Sequence, residues 1–136
     1  MSRKNVAYFD EFLSRFAKFD PTMCIATVAR SRAQEMAQKY GFRTVNKVFA
    51  DRAYGDDGLL VPRSLQGAVI HDPEEAARRV GEMVREGAII TLSGKRIPTA
   101  IDSICVHGDT AEAVPIAAAV RAGLEKQGYA IANFIH

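Results

Sequence analysis

Two short stretches of this chain place acid, base and cation side chains directly behind β-prone runs. Asp51-Arg52 follows TVNKVFA (44–50), and His107-Gly108-Asp109 follows DSICV (102–106). A carboxylate, a guanidinium, an imidazole and a second carboxylate are the parts of a general base, an anion clamp and a general acid. Where strands run parallel, such groups collect at the strand ends, on the loops that enter the helices. Gly108 permits a tight turn or a close backbone approach to a ligand. Between the two stretches, residues 51–67 form a polar run with glycines at 55, 58 and 67 and a proline at 62. That is well beyond the usual connection length, and such loops tend to carry function. Tyr54 and Arg63 on it suit an anionic or planar substrate. A structural reading stands beside this one: Asp109 caps the last helix, Asp51 pairs with Arg52 or Arg63, and His107 is a hydrogen-bonded core group.

Other candidates point less clearly to chemistry. Gly94-Lys95 lacks the upstream glycine and downstream Ser/Thr of a phosphate-binding loop, so it reads as a turn. His71 precedes a helix start, where an anion could bind, but it reads as part of a capping segment. His136 is terminal. Asp51, His107 and Asp109 have neither HxxxH nor CxxC spacing, so no metal is assigned to them. Arg30, Arg32 and Arg43 read as the solvated end of one helix.

Alternating helix and strand signals position these groups. Residues 5–18 place Phe9, Phe12, Leu13 and Phe16 on one helix face, and Asp20-Pro21 stops that helix. Residues 22–29 are a nearly continuous apolar run, the pattern of a strand covered on both faces. Ser31 caps a second helix that ends at Tyr40-Gly41, and strand 44–50 follows. After the long loop and the short run 68–70, Asp72 as N-cap, Pro73 at the first position and Glu75 start a helix that runs to Glu86-Gly87. AIITL (88–92) and KRIPTA (95–100) flank Ser93-Gly94 as a hairpin. DSICV reads as a buried strand. Asp109 or Thr110 then caps a final helix over 111–127, with Ala113, Val114, Ala117, Val120 and Leu124 as its stripe, and Tyr129–Ala132 is a further short strand. Strand, helix, strand, helix implies an α/β fold with parallel strands and crossover helices. No internal repeat or linker divides the chain, so residues 1–136 read as one domain or part of one.

Composition narrows the class. Of 136 residues, 48% are apolar and 25% charged, as in a soluble globular domain. No run approaches the ~20 apolar residues of a membrane span, and the N-terminus lacks the apolar core of a secretory signal. Eighteen basic residues against 16 acidic give +2, too even a balance to suggest nucleic acid or an anionic membrane. Cys24 and Cys105 each sit in an apolar run and read as reduced, buried thiols of a cytoplasmic protein.

Four motifs in order and spacing carry a resemblance: Val48-Phe-Ala-Asp-Arg-Ala-Tyr54, Asp57-Gly-Leu-Leu-Val-Pro-Arg-Ser64, Gly67-Ala-Val-Ile70 and Cys105-Val-His-Gly-Asp109. From about residue 6 to 132, the chain resembles the LamB/YcsF family, which supplies the A subunit of the ATP-hydrolysing 5-oxoprolinase. The resemblance implies part of a TIM-like (β/α) barrel of the glycoside hydrolase/deacetylase type. It also implies an enzyme that, with the B and C subunits, opens 5-oxoproline to L-glutamate while ATP, as its magnesium complex, is hydrolysed to ADP and phosphate. Carried over by motif, Asp51, Arg52, His107 and Asp109 are the expected catalytic residues, and Tyr54 and Arg63 the expected substrate or phosphate contacts. Within that chemistry Arg52 and Arg63 suit a carboxylate or phosphoryl oxygens. His107 suits a base that Asp51 or Asp109 orients.

The chain departs from the family pattern in places. It corresponds to the C-terminal half, without the N-terminal acidic motif, the His-rich early loops or the Lys-Pro-His-Gly segment. Lys47 stands where the family usually has Glu, and Ala111-Glu112 replaces a frequent Pro-Gly. Half a barrel leaves strand edges and an inner face uncovered, so a homodimer, completion by an N-terminal half, or a truncated gene product is expected. Two other readings follow: a metal-dependent amide or N-acyl hydrolase of deacetylase type, and a non-catalytic remnant that binds partner subunits.

Overall fold

A computed structural model describes residues 3–133; His136 lies outside them. Nine elements follow in order: α1 (Arg3–Phe19), β1 (Cys24–Val28), α2 (Arg32–Lys39), β2 (Arg43–Phe49), α3 (Pro73–Glu86), β3 (Ala88–Ile90), β4 (Arg96–Pro98), β5 (Ser103–Cys105) and α4 (Ala113–Lys126).

Local chemistry explains most of the boundaries. Asp20 accepts from both the backbone N–H and the hydroxyl of Thr22, at 2.9 and 2.6 Å, in the turn that stops α1. Ser31 caps α2 by accepting from the Gln34 N–H, and Asp72 caps α3 by accepting from the Glu74 N–H, with proline behind it. Gly87 closes α3 in the left-handed conformation, φ 60°. All four ends agree with the sequence reading.

β1, β2 and β5 form a parallel sheet in the order β1-β2-β5, and β3-β4 is a separate antiparallel hairpin. The register pairs Val28 with Lys47 across β1-β2, and Lys47 with Ser103 and Phe49 with Cys105 across β2-β5. Asp102 fixes that register, since its carboxylate accepts from the Asn46 N–H at 2.8 Å while its own N–H donates to the Asn46 carbonyl at 3.0 Å. The main core gathers Val48 and Ala50 of the β2 region, Val80 and Met83 of α3, Ile89 and Ile97 of the hairpin, and Ile116, Val120 and Leu124 of α4. A second cluster joins Leu13 of α1 to Met36 and Ala37 of α2 and to Phe42.

The described residues hold three parallel strands and a separate hairpin, the α/β arrangement expected. Several other expectations are corrected. Only β2 is well covered: β1 and β5 are the sheet edges, so Ala26 is exposed and Ser103–Cys105 are partly so. Cys24 and Cys105 are free thiols, as expected, but partly exposed. Neither Asp109 nor Thr110 caps α4. Glu112 holds the N-cap position without a side-chain bond, because Asp109 is drawn away to Arg63. Val120 and Leu124 of the expected stripe are buried, but Ile116 joins them at 1% exposed while Val114 is 78% exposed. Residues 129–132 pair with no described strand; they turn away at Gly128 (φ 86°) and border a cleft beside β5 and α4. Arg30 follows β1 and Arg43 opens β2, so they do not end one helix, and the Arg30 guanidinium donates to the Pro98 carbonyl. No helix among the described residues is long and apolar enough to cross a membrane.

Candidate functional site

Parallel pairing of β2 with β5 delivers the first two site residues. Phe49 and Cys105 are register partners, and the Ala50 N–H continues the ladder to the Cys105 carbonyl at 2.9 Å. Asp51 and His107 each lie two residues further on, so the two strand ends carry them side by side. One oxygen of the Asp51 carboxylate accepts from the His107 backbone N–H at 3.0 Å, and both stand 2.9 Å from its ring Nδ1. The Asp51 side chain is 4% exposed and that of His107 26%, so the acid is buried and the imidazole reaches solvent. A carboxylate only accepts hydrogen bonds, so the neutral imidazole carries its proton on Nδ1 and its lone pair on Nε2.

One wall of the site is absent from the sequence reading. The Phe49 ring stacks on the imidazole, centroids 4.9 Å apart and planes 9° from parallel. The Lys47 ammonium lies 5.6 Å from the centre of the same ring. The signal is present in the sequence: side chains alternate along a strand, so counting back by twos from Asp51 gives Phe49 and Lys47.

Arg63 and Asp109 meet at the rim, Nη1 to Oδ2 2.9 Å, both side chains about half exposed. That hydrogen bond, ahead of other influences, holds the Asp109 carboxyl below its ordinary range, and the charge of the nearby His107 adds to it. Apart from its chain neighbours, no atom lies within 4 Å of where a Cβ would stand on Gly108, so there is open space at the His-Gly-Asp turn. His71 stands 3.7 Å from Glu112 and is well exposed.

Two expected site residues have other employment. Tyr54 is 1% exposed and belongs to the main core. Its hydroxyl accepts from the Phe49 N–H at 3.0 Å, and burial above all pushes its pKa up to about 12. It ties the loop to β2. Arg52 is also buried: Nη2 donates to the Val61 carbonyl at 2.7 Å and Nε points to the Ala68 carbonyl at 3.4 Å. The expected anion clamp therefore holds its own loop in shape. That loop is further knotted to the hairpin, where Asp56 accepts from the hydroxyls of Thr91 and Ser93, both at 2.6 Å. Asp51 thus pairs with neither Arg52 nor Arg63.

No group of three or more His, Cys, Asp or Glu side chains that could hold a metal occurs among the described residues. A cleft of about 720 Å³ between β5, α4 and residues 129–132 is lined by none of Asp51, His107, Arg63 or Asp109.

Comparison with known proteins decides the family. The pattern of the LamB/YcsF family matches residues 1–136. The chain belongs to the LamB/YcsF family. Among LamB/YcsF relatives, the 5-oxoprolinase A subunit of Ruegeria pomeroyi is 50% identical over 115 residues, which cover 85% of this chain and 46% of that protein. The A subunit of Pyrococcus furiosus is 49% identical over 110 residues, 81% of this chain and 43% of that one. The crystal structure of the lactam utilization protein from Thermus thermophilus superposes with a TM-score of 0.82 at 36% identity, covering 93% of this chain and 50% of that one. This LamB/YcsF chain therefore spans about half the length of the curated relatives it matches.

Proposed function

We propose that the chain works as part of the A subunit of an ATP-dependent 5-oxoprolinase, which opens the lactam of 5-oxoproline to L-glutamate. The observation that carries the reading is the buried carboxylate on the Nδ1 side of a solvent-reaching imidazole, at the ends of adjacent parallel strands. The names of its relatives supply the substrate class. His107 Nε2 accepts a proton from water as the water oxygen bonds to the lactam carbonyl carbon. The same proton passes to the ring nitrogen as the carbon–nitrogen bond breaks. Asp51 holds the imidazole in its tautomer and plane throughout. Asp109 steadies Arg63, whose planar fork receives a carboxylate or a phosphoryl group.

A magnesium triphosphate needs a cradle of backbone donors and oxygen ligands for its ion. Around His107 the described residues offer one exposed guanidinium, Arg63, already shared with Asp109. That fits a single phosphoryl group and not the whole nucleotide, so ATP, as its magnesium complex, is assigned to the assembly with the B and C subunits. β1 and β5 each lack a strand on their outer side among the described residues. A second copy of the chain, or an N-terminal half, is the proposed cover.

The test is 5-oxoproline-dependent release of ADP when the chain is mixed with the B and C subunits of a relative. Turnover above background is expected. Silence beside an active control containing a full-length relative in place of this chain overturns the reading.

A further inference from the structure

Thr27 of β1 and Asn46 of β2 are both buried, 5% and 8% exposed. The register pairs them across the two strands, so their side chains leave the sheet on the same face. Side chains alternate along β2, and that face is therefore the one opposite Phe49 and the imidazole stacked on it. Two residues before the pair, Ile25 packs on the cluster of α1 and α2, and Thr44 accepts from the Gln38 side chain of α2 at 3.2 Å. Two residues after it, Ala29 and Val48 belong to the main core. The pair is thus a polar step between two apolar clusters.

Neither Thr27 Oγ1 nor Asn46 Oδ1 has a hydrogen-bond partner among the described residues. An interior polar atom left unmatched is costly, and folded proteins rarely leave two side by side. The Asn46 main chain is meanwhile engaged on its other flank, exchanging hydrogen bonds with Asp102 at 2.8 and 3.0 Å. Its backbone is fixed, and the side chain has to be satisfied where it stands.

We propose that Thr27 and Asn46 form a binding site for one structural water, which bridges β1 and β2 beneath α2. The amide oxygen only accepts, so the water donates one O–H to Asn46 and accepts the Thr27 hydroxyl proton. Neighbouring strands lie about 4.8 Å apart, and one water at roughly 2.8 Å from each of two oxygens spans up to about 5.6 Å. Two neutral oxygens are too few for a metal ion of oxygen-ligand type, which takes about six ligands. Through the water Asn46 joins all three strands: Asp102 at the foot of β5 by its main chain, Thr27 of β1 by its side chain. The register that sets Asp51 beside His107 is then held from the covered face as well.

The test combines a high-resolution crystal structure of the full chain with thermal melts of Thr27→Val, which keeps the shape and removes the hydroxyl. The structure is expected to show an ordered water within hydrogen-bond distance of both Thr27 Oγ1 and Asn46 Oδ1. Thr27→Ser keeps the hydroxyl and should keep the water. Thr27→Val should lower the melting temperature by about 2–8 °C, the shift for roughly one lost hydrogen bond in a chain of this size. A Thr27→Val chain that melts at or above the unaltered temperature overturns the proposal, because the hydroxyl then had no partner to lose. A structure in which the two side chains bond each other directly, with no water between them, overturns it as well. Should Thr27→Val fail to fold, the structures of the unaltered chain and of Thr27→Ser decide the matter on the water alone.

Discussion

Asp51 and His107 lie two residues beyond the register pair Phe49 and Cys105, so the parallel sheet itself brings the carboxylate to 2.9 Å from the imidazole Nδ1. The backbone N–H of His107 donates to the same carboxylate, which fixes the strand end together with the ring.

Asp51→Asn keeps the shape of the acid but adds an N–H donor where the imidazole also donates. We expect turnover in the assembled enzyme to fall about 10- to 100-fold, the usual cost of losing such an orienting partner. Long-range proton–nitrogen NMR of His107 should show the proton on Nδ1 in the unaltered chain and a mixture of tautomers in the variant. An unchanged tautomer would remove this role from Asp51.

Tyr54→Phe separates folding from chemistry. In the unfolded chain tyrosine ionises near pH 10, whereas burial holds Tyr54 to about 12. The folded state binds this proton more tightly, so stability is present below pH ~10 and is lost as pH rises through the folded value. The variant should lose that alkaline sensitivity in thermal melts. At neutral pH it should cost about 1–3 kcal/mol, since the Phe49 N–H loses its acceptor.

The Arg63–Asp109 pair predicts the opposite slope. Its lowered carboxyl pKa contributes stability above the ordinary carboxylate value of about 4, lost as pH falls through the folded value. Asp109→Asn should therefore melt slightly below the unaltered chain at pH 7 and together with it in strong acid. The difference stays small because the pair is half exposed.

Arg52→Met tests whether that guanidinium belongs to the loop or to a ligand. With Nη2 on the Val61 carbonyl, its removal should destabilise the fold by roughly 2–3 kcal/mol, the cost of a charged hydrogen bond lost in the interior. Denaturant melts will show it. A variant of normal stability but weakened ligand affinity would return Arg52 to the site.

What can be read from the sequence is whatever depends on nearest neighbours along the chain or on parallel pairing. Asp72-Pro73, Ser31 and Gly87 act within their own helices, and Asp51 meets His107 because both follow strands of one parallel sheet. Arg52 and Tyr54 escape such a reading because their fate is set by how residues 51–67 fold back, through the bridges Arg52–Val69 and Tyr54–Leu60. No local pattern announces that a polar-looking loop will bury its own arginine and tyrosine. The start of α4 slips for a related reason: Asp109 is a good cap by type, but Arg63, distant in sequence, competes for its carboxylate. Lys47 and Phe49 are within reach of strand alternation, but a search confined to the residues after the strands passes over them.

The most direct measurement is glutamate formed from 5-oxoproline by the chain assembled with the B and C subunits, compared with the same assembly carrying His107→Gln. Glutamine keeps a polar side chain of similar reach but cannot carry a proton from water to nitrogen. The account predicts turnover by the unaltered chain and a loss on the order of 10²–10⁴-fold in the variant. A folded His107→Gln chain that forms glutamate at the unaltered rate would contradict it.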